Sequence, residues 1–232
     1  MFTLIQEIQY EKYSKLINQM FCLRKKIFFD ELNWDVPVVG DIERDRYDDL
    51  NPAYLVWTDE RQEVLYGSLR LMPTTGPTLL NDVFRGTFPA NFDLCYPGIW
   101  EGTRMCIDAA KVAEDHSGMS AQDAMSLMLL GLGECALAHG IHTLISNYEP
   151  HMKRIYQRSG AKLDEIGRQD GYGKRPVCCG VFEVTQAVIE NMRAKNAQPN
   201  PVYVRSISKN ISTIFQQARE NDVEEISYGI AV

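Results

Sequence analysis

The stretch that most limits the fold is "SAQDAMSLMLLGLGECALAHG", from Ser120 to Gly140. It reads as a long helix that is apolar around most of its circumference, so other elements must cover it on several sides. Ser120, with Asp123 three residues on, makes a capping pair at its start, and Gly140 stops it. "IWEGTRMCI" precedes it and reads as a buried strand; "IHTLISN" follows it and reads as another. Strand, apolar helix and strand in succession predict a right-handed crossover onto one sheet.

The flanking segments extend that sheet. From Tyr10 to Leu32, apolar residues at Tyr13, Leu16, Ile17, Met20, Phe21 and Phe28 keep helical spacing. "AYLVW" and "EVLYGSLRLM" around "TDERQ" predict a β-hairpin, and "LLNDVF" a short helix before the loop "RGTFPANFDLCYPG". "PHMKRIYQRSG" is a helix opened by Pro150 and closed by Gly160. "AKLDEIG" and "VCCGVFEV" are two more strands. A helix from Thr185 and a polar helix near Ser206 to Arg219 complete the chain. The fold class is α/β (α+β): one domain with a mixed, twisted sheet flanked by helices. Function divides it into residues 1–110, carrying the charged site, residues 111–185, and the C-terminal helices of residues 186–232.

Composition fits one fairly large domain of 232 residues, 45% hydrophobic. A net charge of −7 argues against nucleic acid or anionic membrane as a general partner. No apolar run approaches the roughly 20 residues of a membrane span. The opening "MFTLIQEIQYEKY" meets Gln and Glu too early for a secretory signal. The six cysteines form no C-x-x-C pair, and most sit in apolar segments, as reduced core thiols do. These features predict a soluble, cytoplasmic protein.

Common catalytic motifs are missing: there is no G-x-S-x-G, no Walker loop, and no G-x-G-x-x-G after a strand. His139 and His142 are separated by the helix-ending Gly140, so they read as structural and no metal site is expected. What stands out is a polar set in the first half: Arg24, Asp45, Asp48, Arg70, Glu101 and Arg104, accompanied by Phe28, Trp34 and Phe84. The run "GDIERDRYDDLNP" is either a solvated loop or the wall of a site for a small zwitterion. Arg44, Arg46 and Asp49 are read as solvated.

In this set the sequence resembles the acyl-homoserine lactone synthases, the autoinducer synthase family of bacterial quorum sensing. The resemblance rests on R-x-x-x-F at Arg24 and Phe28, then Trp34, then D-x-x-D at Asp45 and Asp48. It continues with Arg70 in "GSLRLMPT", Phe84 in "LLNDVF", and E-x-[ST]-R at Glu101, Thr103 and Arg104. It implies the fold of the N-acetyltransferases and a two-step reaction. The amine of S-adenosylmethionine attacks the thioester of an acyl-acyl carrier protein. The methionine carboxylate then closes on its own γ-carbon and expels methylthioadenosine. S-adenosylmethionine is here a substrate, and no cofactor is implied.

Such a ligand carries a carboxylate, an ammonium and a sulfonium, so its site needs fixed ions of both signs and aromatic faces. Arg24 and Arg70 would hold a carboxylate or brace an acid. Asp45 and Asp48 would hold the ammonium or brace an arginine. Phe28 and Trp34 would cover the sulfonium and adenosyl side, and Phe84 joins them by position, although phenylalanines at such spacing also serve as plain core. Glu101 and Arg104 are the catalytic candidates. Glu101 is either the base that takes a proton from the amine, directly or through water, or an ion-pair partner of Arg104 or Arg24 that shapes the site. In a regular strand the two would face opposite sides, so a bulge is expected at Gly102, which would also free an oxyanion-binding N–H.

The acyl chain needs an apolar slot, expected at Thr103, Met105, Met125, Leu129 and Ser146. The family associates a threonine on the "HTLISN" strand with 3-oxo donors; Thr143 and Ser146 leave the C3 oxidation state open. Lys153, Arg154 and Arg158 share much of one helix face on an acidic protein, and are expected to dock an acidic acyl carrier protein. Two rivals stand beside this reading. One is an acetyl-coenzyme A enzyme of the same fold, against which "DHSGMSAQ" offers only Gly118 where a pyrophosphate cradle belongs. The other is a binding module that has lost turnover.

Overall fold

The computed structural model describes residues 1–205. The helix expected near Ser206 to Arg219 lies outside the described residues. A seven-stranded sheet runs in the order β1-β4-β5-β6-β7-β9-β8. Its strands are β1 (Phe2–Ile5), β4 (Ala53–Thr58), β5 (Leu65–Pro73), β6 (Ile99–Ile107), β7 (Thr143–Tyr148), β8 (Leu163–Gln169) and β9 (Val177–Glu183). The short pair β2 (Val38–Val39) and β3 (Ile42–Glu43) forms a separate ribbon. The helices are α1 (Ser14–Arg24), α2 (Leu79–Asp82), α3 (Ala109–Asp115), α4 (Ala121–Ala138), α5 (Met152–Ser159) and α6 (Gln186–Lys195).

The sheet is covered on both faces. On one, α1 lays Leu16, Met20 and Phe21 against Tyr54, Val56 and Cys106. On the other, Ala124, Met128 and Leu132 of α4 pack on Leu55, Leu69 and Leu71. Ser120 caps α4 as read: its Oγ accepts from the Asp123 N–H at 3.1 Å, and the Asp123 carboxylate accepts from the Ser120 N–H at 3.2 Å. Gly160, at φ +89°, closes α5 in a left-handed turn.

Three features differ from the sequence reading. Residues Phe2–Ile5 form an edge strand against β4, a pairing that the local pattern does not disclose. The first helix is shorter than its apolar spacing suggests: α1 ends at Arg24 and a π-helical turn runs from Lys25 to Glu31. Such wide turns gather at functional sites. Finally, β9 inserts between β7 and β8, antiparallel to both, so only β6 and β7 pair in parallel.

Candidate active site

The site forms where β6 leaves its two neighbours. Toward β7 the pairing lasts only from Ile99↔Thr143 to Glu101↔Ile145, and the strands then part. Toward β5 the ladder skips: Arg70 pairs with Thr103, but Ser68 pairs with Cys106, so β6 carries one extra residue. That residue is Arg104, held at φ +55°. The bulge therefore sits at Arg104, not at the expected Gly102. Its consequence is the anticipated one. Cross-strand partners share a face, so Glu101 and Thr103 lie with Met72 and Arg70, and the extra residue turns Arg104 onto that face too. Met105 is sent to the opposite face.

Three arginines and three carboxylates interlock on the first face. Arg24 donates Nη1 and Nη2 to the two oxygens of Asp48, both at 2.9 Å, and Nε to Glu43 at 2.5 Å. Arg70 forks onto Asp45 at 2.5 and 3.0 Å, reaches Asp48 at 3.0 Å, and donates Nε to Thr103 Oγ1 at 3.1 Å. Arg104 donates Nε to Glu43 at 3.2 Å and Nη2 to Asp45 at 2.9 Å. The Tyr54 hydroxyl adds a bond to Asp48 at 2.9 Å. A capping box around the turn Arg46–Asp49 sets the two aspartates: Asp45 accepts the Tyr47 N–H and Asp48 accepts the Asp45 N–H, each at 2.9 Å. Glu43 was missed in the sequence. It is fully buried on β3, yet among "DIERDRYDD" nothing local separates it from exposed Asp41.

Electrostatics follows from this closure. Burial would raise the Asp48 carboxyl, but the hydrogen bonds and charge of Arg24, joined by Arg70, outweigh it and hold the group well below the ordinary range. Burial would lower Arg24, and the same two acids, Asp48 and Glu43, raise it instead. Arg104 behaves otherwise: burial pulls its guanidinium down, and the Glu43 and Asp45 charges do not fully offset that pull. Every guanidinium nitrogen of Arg24 and Arg70 is bonded, whereas Nη1 of Arg104 has no acceptor among the described residues. The Arg104 guanidinium also lies over the Phe28 ring, 5.6 Å from its centroid. Trp34 stacks on Phe28, with ring centroids 5.1 Å apart and nearly parallel planes. Phe28 is buried while Trp34 is partly open to solvent.

Among the described residues Glu101 makes no ion pair, which corrects the expected pairing with Arg104 or Arg24. Its carboxylate accepts the backbone N–H groups of Leu79 at 3.1 Å and Leu80 at 2.6 Å, and so pins the start of α2 to β6. Burial pushes its pKa up to about 7, against the pull of those N–H donors and of Arg70 and Arg104. Phe84 packs beside Tyr47, Met72 and Leu79 and meets Tyr172 edge-on. Arg44 and Asp49 are exposed and paired with each other, and exposed Arg46 pairs with Asp82.

On the opposite face the parting of β6 and β7 opens a cavity of about 50 Å³. Met105, Leu129 and Ser146 line it as expected, with Gly102, Leu132 and Phe182. Ser146 donates to the Gly102 carbonyl at 2.9 Å. Two expected wall residues do not line it. Thr103 points to the charged face and binds Arg70, because the strand alternates there; Met125 packs against the cluster that contains Leu129 and Tyr156 but is not itself a lining residue. On α5, Arg154 and Arg158 are exposed, whereas Lys153 is half-buried and paired with Glu165 at 3.0 Å. His139 bonds the Tyr203 hydroxyl at 2.7 Å and His142 bonds Thr143.

The fold that carries this site recurs in solved acyl-homoserine-lactone synthases. The solved synthase LasI shares it at a TM-score of 0.71 and 22% identity, over 89% of this chain and 98% of that one. BjaI, a coenzyme A-dependent synthase solved with S-adenosylmethionine and isopentyl-coenzyme A, shares it at a TM-score of 0.76 and 22% identity, over 89% of this chain and 94% of that one. The chain belongs to the autoinducer synthase family, whose model matches residues 8–192. An acyl-homoserine-lactone synthase of Rhizobium etli is 36% identical over 204 residues, covering 84% of this chain and 92% of the relative. The protein is an enzyme of that family.

Proposed function

We propose that this enzyme makes an N-acyl-L-homoserine lactone from S-adenosylmethionine and an acyl-acyl carrier protein, releasing methylthioadenosine. One observation carries the reading: Arg104 is the arginine of the cluster with a nitrogen left over, and the bulge sets its guanidinium over Phe28, beside the Phe28–Trp34 stack. In this account the spare Nη1 holds the substrate carboxylate, and the aromatic pair covers the sulfonium. Arg24, Arg70, Asp45, Asp48 and Glu43 act chiefly as a rigid frame, with the rim of Asp45 nearest the ammonium.

Acylation needs a neutral amine, and an α-amino group titrates near 7.7–8.0. Glu101, with its pKa raised to about 7 by burial, is suited to take that proton, directly or through one water. The amine nitrogen then attacks the thioester carbonyl, and a backbone N–H at the Arg104 bulge steadies the oxyanion. Collapse breaks the C–S bond, and the second amine proton leaves with the carrier thiol. The carboxylate oxygen next attacks the γ-carbon, the sulfonium C–S bond breaks, and neutral methylthioadenosine departs. The acyl chain lies in the cavity lined by Met105, Leu129 and Ser146.

The acyl carrier protein is preferred over coenzyme A for two reasons. Arg154 and Arg158 offer exposed positive charge to an acidic partner, Arg158 bonding only the neutral Gln122 amide among the described residues, with Lys153 contributing less because Glu165 neutralises it. The start of α4, where a pyrophosphate would rest on backbone N–H groups, is capped by the Asp123 carboxylate. Competition between acyl-carrier protein and acyl-coenzyme A of the same chain, read by mass spectrometry of the lactone, tests the donor. The carrier protein should win; preference for coenzyme A would reverse the assignment while leaving the lactone chemistry in place.

A further inference from the structure

The cavity between β6 and β7 is lined by Gly102 and Ser146 on the strands and by Val188, Ile189 and Met192 on α6. Facing them is Gly133 of α4. A methyl group added at Gly133 would stand 2.6 Å from Cδ1 of Ile189, with the Met192 sulfur at 3.7 Å. The two helices thus meet as closely as the missing side chain permits, and Ile189 is pressed against the bare backbone.

The neighbouring residue on each helix holds this wall in place. Glu134 is buried, and its carboxylate accepts Nε of Arg193 at 2.6 Å. It also accepts the backbone N–H groups of Val202 at 2.7 Å and Tyr203 at 2.8 Å. A buried carboxylate with three donors fixes position, because moving any partner would leave charge unpaired away from water. Glu134 therefore ties α4, α6 and the segment after α6 into one bracket behind Ile189 and Met192. Nothing in the charged site on the other face requires it.

We propose that Ile189 and Met192 are the length gauge of the acyl slot, with Glu134 as the positioning residue that keeps the gauge from yielding. This rests on the acyl-transfer reading given above. The wall is apolar, so it meets the hydrocarbon end of the acyl group, and polarity at C3 is left to the strand side, where Ser146 lies. A pocket that lacks room for one more methylene discriminates by about 10–200-fold. Methionine is the adaptable part, being unbranched with a flexible thioether.

The test offers the enzyme an equimolar series of saturated acyl-carrier proteins, each two carbons longer than the last, and reads lactone lengths by mass spectrometry. Wild type should show a sharp upper cutoff. Met192→Ala should raise the relative yield of the next longer product by about tenfold or more, and Ile189→Val, a milder cut that keeps the core filled, should shift it the same way by less. Gly133→Ala should push Ile189 into the slot and move the cutoff to shorter chains. Met192→Leu, which conserves volume, should leave it in place. Glu134→Gln should blur the cutoff in both directions without changing the KM for S-adenosylmethionine, a split that general loss of stability would not produce. Lactone formation with a cutoff unmoved in Met192→Ala, Ile189→Val and Gly133→Ala would overturn the gauge alone. Absence of lactone from wild type with every donor would overturn the acyl-transfer reading and the gauge with it.

Discussion

Arg24 and Asp48 meet fork to fork, with both N···O distances at 2.9 Å and both side chains shut away from water. Arg24 closes α1 and Asp48 lies in the turn after β3, so this pair fastens the N-terminal helix to the charged loop. Two parallel bonds between planar groups are strong and geometrically exacting. Removing one partner strands the other, at about 3–5 kcal/mol for a buried pair. Asp48→Ala should lose about that much stability in urea unfolding and form no lactone. Asp49→Ala, whose side chain is exposed, should stay within about 0.5 kcal/mol of wild type and remain active.

Arg104 serves by shape as much as by charge. Its guanidinium spans Glu43 and Asp45 while its backbone sits in the left-handed region, a conformation that costs an L-residue about 1–3 kcal/mol. Arg104→Lys keeps a charge but cannot bridge both acids and still keep a donor for the substrate carboxylate. It should lower kcat for lactone formation by at least about a hundredfold while the urea midpoint falls only modestly. Normal turnover in this variant would remove Arg104 from the catalytic set.

Much of this site was legible in the sequence, because the spacing of Arg24, Phe28, Trp34, Asp45, Asp48, Arg70, Glu101 and Arg104 carries the family resemblance. Secondary structure was legible wherever it is local, as in the capped α4, the β4–β5 hairpin and the Gly160 stop. What escaped depends on pairing between distant segments. Glu43 is distinguished from Asp41 only by the arginines that reach it. The bulge falls at Arg104 because the β5 register and the two acids hold it there, overriding the ease with which Gly102 would have adopted a bulge. The insertion of β9, and the α6 wall behind the cavity, likewise have no local signature.

Glu101 should make stability and activity depend on pH in opposite senses. Its folded pKa, about 7, lies above the ordinary carboxylic value of 4.5, so the folded state binds the extra proton. Its contribution to stability is complete below about 4.5 and is lost as pH rises through 7, at about 1.4 kcal/mol per unit. Urea unfolding across that window should show stability falling in wild type relative to Glu101→Gln. Asp48, lowered in the fold, has the reverse sign: its contribution holds above the ordinary aspartate pKa and fades as pH drops toward its folded value. Acylation by wild type should rise with pH through about 7, and Glu101→Gln should slow it by about 10²–10⁴-fold with S-adenosylmethionine binding retained. A variant that binds poorly yet turns over normally at saturation would make Glu101 the anchor of α2 and nothing more.

Charge reversal at Arg154 and Arg158 should raise the KM for the acyl carrier protein and flatten its salt dependence, because the loss falls on electrostatic steering. The KM for S-adenosylmethionine, whose proposed site at Arg104 and Phe28 is separate from α5, should not change. Steady-state kinetics at two ionic strengths checks both. A carrier-protein KM unaffected by the double reversal would place docking elsewhere.

The central claim is that one ligand, held by Arg104 and the Phe28–Trp34 stack, supplies both the nucleophile and the ring. It is tested most directly by supplying S-adenosylmethionine labelled with ¹⁵N in the amine and ¹⁸O in the carboxylate, together with an acyl-carrier protein, and weighing the products. The account predicts a lactone carrying the ¹⁵N and the carboxylate label, with one methylthioadenosine released per lactone. An acylated product that still bears the adenosyl group, or consumption of the thioester without release of methylthioadenosine, would contradict it.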